Sequence, residues 1–367
     1  MLNVIYSLRI CFAANFSNYH GKSGRAVLLW LFLLILYRLL KYMDDNYFYY
    51  KRKMLSRAYF LSAEYTSIHN GYISDDEEPS KIEYLSKWIE YQFLPHYFGY
   101  VPAWRKFVRK FSGKRTLPDF CVVGPIKSGT SDLAISVMLH PNVMTPLAKE
   151  ILSSDIEKWR INYPTEKEKK VFTSRNKVAL TPFLAPYLHW MELIYNISRE
   201  QPETKIVLTL RDPVKRFYSQ WKWEIFVAGK KRSNNLPFLN SFPNYVNKAL
   251  SIFPEYPMFT ACGFDPLQTS IYWKAVGYWV ECFGQNNVLV LDVQDYFSDS
   301  NKFLNNIYDF VGLPSFEQPK FIDRVNENPL ILPPPDEESI AKLRAFFEPY
   351  NQKLWHLLGK EFDWGAS

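Results

Sequence analysis

Pro118-Asp119-Phe120-Cys121-Val122-Val123-Gly124-Pro125-Ile126-Lys127-Ser128-Gly129-Thr130-Ser131-Asp132-Leu133 is the stretch on which the fold turns. Phe120 to Val123 is an unbroken apolar run, the pattern of a strand buried on both faces. Gly124, Pro125 and Gly129 interrupt it and mark a loop. Thr130 or Ser131 can cap a following helix, in which Leu133, Val137 and Met138 recur at helical spacing until Pro141 ends it. A loop feeding a helix N-terminus is a ready anion site, because the first N–H groups have no partner inside the helix. Lys127 adds a positive charge there, and Ser128, Thr130 and Ser131 add hydroxyls. The competing reading is a strand-to-helix turn with an incidental lysine. The spacing is not that of the nucleotide-triphosphate loop, where lysine directly follows the second glycine and a Ser or Thr beside it holds magnesium. Here the lysine precedes Gly129, which disfavours a metal-dependent phosphoryl transferase.

Working outward, Lys205 to Leu210 is a second apolar, β-branched strand, and it runs into Arg211-Asp212-Pro213. Pro213 suits the first turn of a helix, which leaves Arg211 at the strand's C-terminal edge and Ser219 on the helix. Open parallel sheets bind ligands at that edge, and a planar guanidinium grips two phosphate oxygens at once. The alternative for Arg211 is an ion pair with Asp212. Val288 to Val293 reads as a third core strand, Gln268 to Phe283 as a helix, and Lys302 to Val311 as an amphipathic helix stopped by Gly312 and Pro314. Trp221 to Thr260 reads as loop-rich, with a basic cluster Gly229-Lys230-Lys231-Arg232, and Glu157 to Lys177 as an exposed helix and loop.

The chain has 367 residues, enough for one sizeable domain and an extension. With 28 Phe, 25 Tyr and 11 Trp it is rich in aromatics, which suits a packed core. A formal charge of +7 favours an anionic partner: nucleotide, sulfated polymer, membrane surface or nucleic acid. No zinc-finger spacing or long arginine-rich tract is present, so nucleic acid is the weakest of the four. The four cysteines form no CxxC pair. Cys121 falls in a buried strand as a small apolar residue. Cys262 and Cys282 can bridge in an oxidising lumen, or Cys282 can be a core residue on a helix.

Pro125-Ile126-Lys127-Ser128-Gly129-Thr130-Ser131-Asp132-Leu133 resembles the 5′-phosphosulfate loop of sulfotransferases, which take sulfuryl groups from 3′-phosphoadenosine 5′-phosphosulfate (PAPS). The likeness covers roughly Pro118 to Trp364 and is to the Golgi carbohydrate sulfotransferases. Within them it is to the N-acetylgalactosamine 4-sulfate 6-O-sulfotransferase branch, with heparan sulfotransferases more distant. It implies an α/β fold, a parallel sheet flanked by helices with a P-loop-like PAPS site, and no metal. Lys127 is then catalytic and binds the donor together with Ser128, Gly129, Thr130 and Ser131. Arg211 and Ser219 hold the 3′-phosphate, and Ser270, opening a later helix, approaches it. Glu150, after Lys149, becomes the general base; without the resemblance Lys149-Glu150 reads as a surface pair. His140, before Pro141, is a second candidate for the base, although a histidine there commonly serves the helix dipole. Heparan 3-O-type enzymes carry a lysine where this chain has Leu180, with Lys177 three residues earlier, which points to a chondroitin or dermatan acceptor. Trp364 is read as packing.

The resemblance also orders the chain. Residues 1–25 form a tail, 26–43 a signal anchor, 44–117 a stem and 118–367 the sulfotransferase domain. Ala26 to Tyr37 is 12 apolar residues, short of the roughly 20 of a membrane span, but Arg38 and Lys41 can snorkel. A cleaved signal peptide is the second choice. The Lys and Arg flanks would place the C-terminal side in the cytoplasm, whereas the resemblance implies a Golgi enzyme facing the lumen. In the lumen, Asn196-Ile197-Ser198 is a glycosylation sequon. Two other function classes stand beside the enzyme: an inactive, membrane-anchored protein that binds nucleotide or glycan, separated by a sulfate-transfer assay, and a kinase, separated by magnesium and ATP dependence.

Overall fold

The computed structural model describes Arg52, Val101 and residues 103–151, 153–233, 236–258, 264–319 and 330–365, with the backbone only of 227–233. The proposed anchor, most of the stem, Cys11, Cys262 and the side chains of Lys230, Lys231 and Arg232 lie outside these. Among the described residues no helix is long and apolar enough to cross a membrane.

Four parallel strands form the sheet: β1 (Phe120–Val123), β2 (Pro182–Ala185), β3 (Lys205–Leu210) and β4 (Val288–Asp292), in the order β2-β1-β3-β4. β1 and β3 are central, and each reads as continuous apolar sequence because helices cover both faces. One face presents Cys121, Val123, Phe183, Ala185, Ile206, Leu208 and Leu210. It packs on α4 (Met191–Glu200), through Leu193, Ile194 and Ile197, and on α7 (Trp273–Phe283), through Ala275, Val276 and Trp279. The other face meets α2 (Thr130–Leu139) and α9 (Ser300–Val311). A second core joins α5 (Pro213–Ser233), α6 (Phe242–Ile252) and α10 (Glu337–Leu358) through Phe217, Trp221, Phe242, Tyr245, Leu343 and Phe347. α1 (Ala103–Lys110), α3 (Glu166–Asn176) and α8 (Val293–Ser298) complete the described helices.

The structure alters several expectations. β2 is a strand that the sequence pattern hides: it is four residues long, opens on Pro182 and is followed by Pro186. Proline is tolerated there because it is the first residue of an edge strand. The described residues between 221 and 258 are mainly helical. α5 continues to Ser233, and α6 starts behind a Ser241 cap, whose hydroxyl accepts from Asn244 N at 3.3 Å, with Pro243 in the first turn. α3 carries a full Thr165–Glu168 capping box. Residues 103–117 are tied to the domain that follows, since Arg109 donates to the carbonyls of Ile161 (2.6 Å) and Tyr163 (2.7 Å). On α1 Arg105, Lys106 and Arg109 are half-buried, whereas Trp104, Phe107, Val108 and Lys110, with Phe111 just after the helix, are exposed. Cys121 is buried, its thiol pushed up by burial, and Cys282 is a free thiol on α7. Trp364 packs as expected, stacked on Phe362, and its indole N–H also donates to Asp292 at 2.7 Å.

Candidate active site

In this strand order the chain leaves β1 toward β2 on one side and returns to β3 on the other. The crevice between the C-terminal ends of β1 and β3 is therefore the topological switch point, the place where open α/β sheets bind ligands. The 124–129 loop and Arg211 flank it.

Gly124 must be glycine. A Cβ there would lie 2.6 Å from Ser128 Oγ and 2.8 Å from the Thr209 carbonyl, so the loop leaves β1 in contact with β3. Lys127 (φ 68°) and Gly129 (φ 74°) are both left-handed, a conformation that costs a non-glycine residue about 1–2 kcal/mol. Neither Thr130 nor Ser131 caps α2. Gly129 is the N-cap and no side chain caps the helix, so its first-turn amides face the crevice without an internal acceptor.

Three successive carbonyls of the loop are held by donors of the protein. Pro125 O accepts Ser128 Oγ at 2.7 Å and Ser128 N at 3.3 Å. Ile126 O accepts Arg216 Nη1 at 3.2 Å, and Lys127 O accepts Arg211 Nη1 at 2.8 Å. Three successive acceptors are thereby neutralised, and the positive groups dominate the loop's field. The Lys127 ammonium stands 4.3 Å from the centroid of the Trp223 ring, a cation–π distance.

Arg211 does not pair with Asp212. Asp212 caps α5, accepting Val214 N at 2.8 Å, and is clasped by Arg344 of α10 at 2.9 and 2.7 Å. Arg344 also donates to the Trp364 carbonyl at 2.8 Å, and Tyr272 Oη donates to the Arg211 carbonyl at 2.9 Å. Ser219 lies on α5, half-buried, and among the described residues its hydroxyl makes no hydrogen bond.

Lys149-Glu150 is not a surface pair. Both residues are buried, with Lys149 Nζ 2.6 Å from Glu150 Oε1 and 3.4 Å from Ser131 Oγ. The carboxylate is thereby joined, through one ammonium, to the first turn of α2.

Three expected residues take other places. The Ser128 hydroxyl is buried beneath the loop and spent on Pro125 O, so it shapes the loop. Ser270 is buried too: its hydroxyl accepts from Arg216 Nε at 2.6 Å and donates to Pro266 O at 2.8 Å. His140 is fully buried at the far end of α2. Its Nδ1 accepts from Asn142 N at 3.0 Å, which assigns the proton to Nε2, 2.9 Å from Pro314 O. With the ring engaged on both sides and about 15 Å of helix between it and the loop, it is no base for this site. Arg216, unremarked in the sequence, is fully buried with its pKa lowered by burial, and joins the loop to the Pro266 and Ser270 turn. The sequon side chain Asn196 is half-buried and donates to Ser154 O at 2.8 Å.

The sulfotransferase domain family model matches residues 117–327, more than half of the chain. The chain belongs to that family. Among curated proteins it is similar to human heparan sulfate glucosamine 3-O-sulfotransferase 3B1, 21% identical over 274 residues that cover 69% of this chain and 66% of the relative. It is also similar to mouse carbohydrate sulfotransferase 15, 23% identical over 318 residues that cover 68% of this chain and 55% of the relative. The chain thus spans less than two thirds of these relatives' own length, and identities this close do not rank one acceptor branch above the other. Among solved structures, a sulfotransferase from Alicyclobacillus acidocaldarius is 20% identical, with a TM-score of 0.47, over 68% of this chain and 100% of that one.

Proposed function

We propose that this sulfotransferase moves a sulfuryl group from PAPS to a hydroxyl of a glycan. The observation that carries the reading is the loop in which Pro125, Ile126 and Lys127 have every carbonyl held inward while α2 begins uncapped. Such a cradle fits a phosphate-like oxyanion and suits no cation. PAPS, when bound, supplies the sulfuryl group and a phosphate leaving group. Gly129, Thr130, Ser131 and the first-turn amides of α2 bind the 5′-phosphate, and Arg211 with the Ser219 hydroxyl binds the 3′-phosphate. Lys127 leaves the Trp223 face to neutralise charge developing on the leaving oxygen. Glu150 takes the acceptor's proton, and Lys149 orients its carboxylate.

Family likeness at Leu180 supports a chondroitin- or dermatan-type acceptor, and the same likeness supports a Golgi membrane enzyme with a lumenal domain anchored through residues 26–43. Labelled sulfate transfer from PAPS to a panel of desulfated and sulfated glycans tests the function. Transfer to a galactosaminoglycan is the expected result. Binding of adenosine 3′,5′-bisphosphate (PAP) with no transfer to any glycan would replace the enzyme by a binding protein on the same fold. Protease protection of the domain in sealed microsomes tests the orientation.

A further inference from the structure

α2 carries an unusual buried polar ridge. Asp132, Ser136 and His140 recur every four residues along it, all buried. Asp132 occupies the third position after the Gly129 cap, in the turn that faces the donor crevice. One of its oxygens accepts from Arg52 Nη2 at 2.6 Å and the other from Tyr296 Oη at 2.5 Å. Ser136 Oγ accepts from Arg52 Nη1 at 3.2 Å and lies 2.8 Å from the same tyrosine hydroxyl. Arg52 is itself buried, with a side-chain exposure of 9%. It stands 80 residues before its partner and well upstream of the family match, which begins at residue 117.

A buried carboxylate in the first turn of α2 adds negative charge where an anion must bind. A helix N-terminus tolerates that charge when the position is otherwise empty, but here the carboxylate competes with the ligand for the same field. The guanidinium of Arg52 cancels it. We propose that Arg52 is a positioning residue of the donor site: it neutralises Asp132, so that the α2 N-terminus presents a net positive field to the donor's 5′-phosphate. The catalytic body therefore includes at least one residue of the upstream segment.

This inference rests on the donor-site reading, and the test separates the two. PAP binding is measured by calorimetry, and thermal unfolding followed, on the full chain and on Arg52→Gln, Asp132→Asn and the double variant. Arg52→Gln keeps hydrogen-bonding capacity and removes the charge. The expected results are PAP affinity about tenfold lower in Arg52→Gln and largely restored in the double variant, where no uncompensated carboxylate remains. A merely structural role predicts no such restoration. Wild-type affinity in Arg52→Gln, or a double variant as weak as the single one, overturns the proposal. Melting temperatures that simply add across the cycle would show that the two residues do not meet, and overturn it without reference to any ligand. Absence of PAP binding by the wild-type chain would overturn the donor reading and this one with it.

Discussion

The two turns that flank the crevice are built in opposite ways. After β1, the chain enters α2 through two left-handed residues and leaves the helix uncapped. After β3, it enters α5 through Asp212, which caps the helix and is itself clasped by Arg344. The first turn holds its amides open and spends its carbonyls on the protein; the second closes its helix end and offers the Arg211 side chain instead. An open helix end suits the reacting phosphate, where charge changes during transfer. A locked turn whose guanidinium reaches across to the first loop suits a phosphate that only has to be gripped. Arg211 and Arg216 join the two, since each donates to a carbonyl of the first turn from the second.

The contrast fails most visibly if Lys127 is dispensable. Lys127→Ala should lower sulfate transfer about a thousandfold, or about 4 kcal/mol of transition-state stabilisation, while PAP still binds. Next in size, Arg344→Ala should destabilise the fold by about 3 kcal/mol in denaturant titration, because it strands Asp212, a mostly buried carboxylate. If the second turn only grips, Arg211→Ala should weaken PAP binding about 30-fold, close to 2 kcal/mol, with a much smaller change in kcat. A comparable loss in kcat would erase the division of labour.

A pH effect sharpens the picture at the sheet's edge. His189, which follows β2 and lies 3.2 Å from Ile271 O, is lowered to about 4, chiefly by burial. The unfolded chain therefore binds a proton that the folded chain refuses between about pH 6.5 and 4, so stability falls as pH drops through that window. Thermal unfolding should show a loss of about 2 kcal/mol by pH 5, absent in His189→Gln. Smallest is Gly129→Ala, which should cost about 1 kcal/mol, since φ is 74° and the new Cβ would sit 3.1 Å from the Phe297 ring.

Much of this was legible in the residues. β1 and β3 announce themselves as apolar runs buried on both faces, β4 as a short apolar run at the sheet's edge, and α2 by its apolar spacing. The Lys127 loop and Arg211 followed from strand ends and were brought together by a bonded carbonyl. What could not be read is the direction of short hydroxyls and the burial of long charges. Ser128 and Ser270 have the chemistry of ligands but point into the protein. Arg216 and Lys149 look like surface residues in sequence, and only the packing of distant turns buries them. The 221–260 region misled through its prolines and its basic cluster, although Ser241-Phe242-Pro243 was a helix start available to be seen.

The resting place of the Lys127 ammonium has a practical corollary. An indole whose face carries a cation emits differently from one whose face is bare, and Trp223 is only half-buried. Donor binding that draws the ammonium away should therefore change the emission of this one ring, giving the crevice an intrinsic optical gauge of occupancy that Trp223→Phe would silence.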